Sequence, residues 1–97
     1  MRAVLLQDLL SFGRYLRNFP AQERRQKAEQ GLEAVQKADS WRIRLGRAHP
    51  ELGDGTLAGF CEPRSLGLAA RFDDAEFADC LISALEAIVE FRKREQD

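Results

Sequence analysis

Apolar side chains recur along most of this chain at spacings of three and four, the signature of helices with one buried face. Leu6, Leu9, Phe12, Leu16 and Phe19 follow that spacing and predict a helix over residues 6–18. It is closed by Phe19-Pro20, because a residue before proline is pushed out of the α region. Gly13 interrupts it, as a weak point or as a place where a neighbouring helix comes close. A second helix is expected over 21–45, started by Pro20 and stopped by Gly46. Its apolar stripe, Ala28, Leu32, Val35 and Ile43, is narrow, and Asp39 falls within it. Trp41 and Leu45 point to the opposite side at 100° per residue. Residues 40–45 also alternate apolar and arginine side chains as a strand would, but no second strand-like run exists to pair with them.

A short helix is expected near 56–61, capped by Asp54 or Thr56. Glu62 to Gly67 reads as a connector punctuated by proline and glycine. The last helix, 73–94, opens on Asp73 with Glu76 three residues later, the spacing of a capping box. Phe77, Leu81, Ala84, Leu85, Ile88 and Phe91 form its stripe, widened by Ile82 and Val89. No internal repeat or sustained heptad appears. The expectation is an all-α fold: one domain over 1–97, a small bundle of three principal helices plus the short one.

Charge adds an asymmetry that the net value of −1 hides. Residues 1–47 carry ten Lys/Arg against five acids, and the remainder five against eleven. Three uses follow from such a split: attraction between the halves within one chain, attraction between copies, or a nucleic-acid face on the basic half. The domain is slightly acidic, however, and glutamates interleave with Arg24, Arg25 and Lys27. No segment reaches the ~18 apolar residues of a membrane span. Asp8, Arg14 and Arg17 break any resemblance of the start to a signal peptide, so a cytoplasmic protein without membrane attachment is expected. Cys61 and Cys80 are too few for a disulfide scaffold and read as reduced thiols. Cys80 is placed in the core and Cys61 at a partly exposed position.

Candidate chemistry concentrates in His49-Pro50-Glu51-Leu52-Gly53-Asp54-Gly55-Thr56-Leu57. His49, Glu51 and Asp54 are its candidate functional residues, since loops on a helical scaffold tend to carry function. One histidine without a cysteine pair falls short of a zinc site. Gly53 and Gly55 occupy positions where a calcium loop needs oxygen ligands, and no lysine follows the glycines as a phosphate loop requires. No nucleophile elbow surrounds any serine. The reading is therefore of no enzyme, no metal and no cofactor, with the nonapeptide as a shaped junction between the basic and acidic halves.

The span from Trp41 to Leu57, with the final apolar helix, resembles an uncharacterised family of short helical proteins of alphaproteobacteria. They share a His-Pro-x-x-Gly-Asp-Gly-Ser/Thr-Leu segment and have no established activity. The resemblance implies an all-helical bacterial protein and transfers no catalytic residues. The function expected from the residues is a non-enzymatic protein-interaction or assembly module that self-associates or binds a protein partner. Trp41, Leu45, Arg42, Arg44 and Arg47 are its expected partner-binding residues. The alternative is a nucleic-acid-associated assembly subunit, of the phage-like packaging type, using the basic N-terminal half.

Overall fold

A computed structural model describes residues 1–65, 67 and 71–96 of the chain. Four α-helices follow one another: α1 (Leu6–Leu16), α2 (Ala21–Leu45), α3 (Leu57–Cys61) and α4 (Ala75–Gln96), with one 3₁₀ turn (Glu62–Arg64) after α3. The fold is a small all-α bundle, as the periodicity predicts. Leu66, part of the expected connector, lies outside the described residues.

Helix α4 packs against both α1 and α2, while α3 sits mainly on α1. Phe12, Leu16, Leu32, Val35, Leu57 and Phe77 are fully buried where these elements meet. Gly13 permits the close approach of α1 and α4: a Cβ there would lie 2.9 Å from both Leu81 and Phe77. Its loss of helix propensity is thus exchanged for a tighter helix pair.

Residues 40–45 are helical, and α2 ends where Gly46 adopts φ +71° and donates its N–H to the Arg42 carbonyl at 2.8 Å. The alternation of arginine and apolar residues yields to helix because no strand is available to pair with it among the described residues. The cap of α4 is Asp74, not Asp73. Its carboxylate accepts from the Glu76 and Phe77 amides at 3.0 and 3.3 Å, while Asp73 pairs with Arg71. Thr56 caps α3, accepting from the Gly59 amide at 3.0 Å.

Three apolar expectations fail. Ile43 is exposed rather than in the α2 core stripe, because α2 has left the bundle by its last turns. Leu6 is exposed at the start of α1, and Tyr15 is buried instead. On α4 the core line is Phe77, Cys80, Ala84, Ala87 and Phe91, whereas Ile82, Leu85 and Val89 are exposed. A further correction concerns Cys61, which is buried rather than partly exposed. Both cysteines are free, and burial pushes both thiols upward, Cys61 well beyond the ordinary thiol range.

Candidate functional site: the 49–57 loop and the apolar band

The nonapeptide is a closed loop stapled by its own residues. His49 and Gly53 exchange backbone hydrogen bonds, 2.8 Å from the His49 amide and 3.2 Å from the Gly53 amide. His49 Nδ1 accepts the Glu51 and Leu52 amides, both at 3.0 Å, so the ring proton resides on Nε2. The imidazole meets the Trp41 ring edge-on, centroids 4.7 Å apart. The histidine is thereby spent on folding a turn and joining it to the end of α2.

Asp54 is equally committed. Its Oδ1 accepts from the Thr56 hydroxyl at 2.6 Å and the Thr56 amide at 3.0 Å. These bonds, the hydroxyl's foremost, hold its carboxyl below the usual carboxylate range, with Arg2 nearby adding to the effect. Asp8, buried in α1, accepts from the Ala58 amide at 3.0 Å and the Leu5 amide at 2.9 Å. Two helix starts are thus satisfied by one carboxylate.

Gly53 and Gly55 both take φ +92°, a region that side chains rarely enter. Space forbids a side chain as well: a Cβ on Gly55 would lie 2.9 Å from the Asp39 Cα. The loop therefore packs backbone to backbone on α2 at Asp39. That residue resolves the polar intrusion in the α2 stripe. Its carboxylate receives Arg42 Nη2 at 2.8 Å and lies 3.4 Å from the Met1 ammonium, which also donates to Gln36. The Arg42 hydrogen bond chiefly holds Asp39 below the usual carboxylate range, with burial opposing it.

His49, Glu51 and Asp54 do not converge. Glu51 is exposed, and its carbonyl accepts from Arg64 at 2.7 Å. Among the described residues, no three His, Cys, Asp or Glu side chains gather as a metal site would require. Chemically the loop can order α3 and orient it on α1 and α2.

The sequence-expected partner residues at the end of α2 are divided. Arg44 lies over the Trp41 ring at 5.9 Å, and Trp41 is half-buried against His49. Arg42 is tied to Asp39, whereas Leu45 and Arg47 are exposed. Three further arginines of the basic half are answered by α4 and its cap. Arg17 pairs with Asp74 at 2.8 Å, Arg24 with Glu76 at 2.8 Å, and Arg25 with Glu86 and Glu90 at 3.1 and 2.7 Å. Of the three uses of charge asymmetry, attraction within the chain is the one the contacts realise.

A further surface is built largely from positions that the periodic reading assigned to the core, with Leu5 added to them. Leu5 and Leu6 are 67% and 70% exposed, and Ile82, Leu85 and Val89 are 53%, 47% and 50% exposed. Leu85 lines two shallow grooves. One, of about 350 Å³, is lined by Arg25, Leu85, Glu86, Val89 and Glu90. The other, of about 270 Å³, lies between the N-terminal leucines and Leu85 with Ile88. One signal was available in the sequence: the apolar positions of α4 wrap further round the helix than one buried face needs.

A helical bundle with a stapled loop and an apolar band defines a small all-α domain. The chain belongs to the DUF7742 family, a domain of unknown function, whose pattern matches residues 2–88. Neither a curated protein nor a solved structure shows significant similarity to it. Among the described residues, no helix is long and apolar enough to cross a membrane.

Proposed function

We propose that this domain is a non-enzymatic protein-interaction or assembly module that self-associates. The observation that carries the reading is the apolar band of Leu5, Leu6, Ile82, Leu85 and Val89, each about half exposed or more. Scattered surface leucines are ordinary, but a run on one helix face joined to a second element marks a contact surface. The band replaces the end of α2 as the main contact, because Trp41 is already engaged by His49 and Arg42 by Asp39. A nucleic-acid role for the basic half is less well supported, since Arg17, Arg24 and Arg25 are paired with acids of α4 and its cap.

Sedimentation equilibrium tests the proposal. Wild type should self-associate at micromolar concentration, and Leu85→Asp with Val89→Asp should be monomeric while keeping its helical circular dichroism. Trp41→Ala with Leu45→Ala should leave the wild-type mass unchanged. A wild type that stays monomeric into the hundreds of micromolar rejects the reading.

A further inference from the structure

The exposed line on α4 has a geometry that selects a partner and an orientation. Ala75, Ala78, Ile82, Leu85, Val89 and Arg92 succeed one another at alternating spacings of three and four, the seam of a helix pair. Along one flank of that seam run Asp79, Glu86 and Lys93, seven residues apart. Along the other lies the apolar groove to Leu5 and Leu6.

When two identical helices pair antiparallel about a two-fold axis, each flank meets its own copy. The apolar flank then meets an apolar flank, and the charged flank meets a charged one. In a parallel pair each flank would meet the opposite one, setting Asp79, Glu86 and Lys93 against the apolar N-terminal side. The seam is thus self-complementary only when antiparallel.

Charge also chooses the register. With Leu85 packed on the second copy's Val89, Asp79 falls opposite the second copy's Lys93, and the two Glu86 side chains flank the axis. Arg25 lies 3.1 Å from Glu86 and offsets the charge there. Ile82 then rests on the aliphatic stem of the second copy's Arg92, whose guanidinium is held aside by Glu95 and the Arg2 carbonyl. Sliding the helices so that Leu85 meets Ile82 instead would set Asp79 against Glu86, two like charges. Like charges placed together are an effective means of rejecting a wrong register.

We infer that the band binds a second copy of this chain, α4 antiparallel to α4, with Leu85 against Val89 and Asp79 against Lys93 across the two-fold axis. This rests on the self-association proposed above and adds its orientation and register. The test is a charge swap read by the dimer dissociation constant from sedimentation equilibrium. Asp79→Lys and Lys93→Asp should each weaken the dimer about tenfold, since each disturbs two symmetry-related pairs. The double variant should return to within about threefold of wild type.

Lys93 is exposed, so Lys93→Asp leaves the bundle intact. Asp79 also touches Arg24 at 3.5 Å. If Asp79→Lys melts early, Asp79→Asn takes its place: it should weaken the wild-type dimer and have no further effect when Lys93→Gln is already present. A wild type that dimerises while the swap fails to restore affinity overturns the register and leaves self-association standing. A monomeric wild type overturns both.

Discussion

Asp39 shows how a single residue reverses its apparent cost. A carboxylate in an apolar stripe is expensive unless it is paired and hydrogen-bonded. Here Arg42 and the Met1 ammonium supply the charge, and Gly55 brings the loop against its backbone. Because its folded pKa lies below that of an unfolded aspartate, about 4, the stabilisation is complete at neutral pH. It is lost as pH falls through the folded value. Asp39→Asn should cost ~1–3 kcal/mol at pH 7. The gap to wild type should close on acidification below pH 4, measured by urea unfolding at each pH. Parallel pH profiles for the two proteins would show that Asp39 carries no such linkage.

At the scale of elements, the start of α4 separates two adjacent aspartates that look interchangeable. Asp74 satisfies two otherwise orphaned amides and pairs with Arg17 at 2.8 Å, while Asp73 is exposed beside Arg71. Asp74→Ala should lower the melting temperature distinctly and Asp73→Ala hardly at all. Asp74→Asn, which retains an acceptor for the amides but loses the charge toward Arg17, should fall between them. Equal effects of the two alanine variants would refute this cap. The spacing rule found the cap region and missed its residue, because a capping box and a one-residue-later Asp cap both fit Asp-Asp-Ala-Glu. Backbone geometry at the last turn before the helix decides between them, and it is not written in residue types. Gly46 was easier to read: it follows a long uninterrupted helix as a stop should.

Across the whole molecule, the basic and acidic halves meet, but their contacts differ in worth. Arg25 is partly solvated, and its pairs with Glu86 and Glu90 resemble surface ion pairs. Arg24 is 5% exposed; its Nε donates to the Leu16 and Phe19 carbonyls at 3.3 and 3.1 Å, closing the end of α1. Its other nitrogens reach Glu76 and Asp79 on α4. Arg24→Met should therefore cost ~2–4 kcal/mol, since it takes the donor from the Phe19 carbonyl and the buried charge from Glu76 and Asp79. Arg25→Met should cost under ~1 kcal/mol. Urea midpoints would reveal it if the two were alike, and the halves would then be held by diffuse charge rather than by one buried guanidinium.

Periodicity, proline and glycine determined the four helices and the all-α class from sequence alone, because helix spacing and chain termination are local properties. The same local rules placed the 49–57 loop as a shaped junction, since Gly53 and Gly55 advertise positive φ. They could not tell which apolar positions of α4 are buried. Ile82, Leu85 and Val89 carry the same chemistry as Phe77 and Phe91, and only the placement of α1 and α2 around α4 leaves them outside. Nor could they show that the loop backbone packs on α2 at Asp39, or that Asp39 meets Met1 from the start of the chain. Those outcomes depend on contacts between distant segments, which side-chain spacing along one helix does not encode.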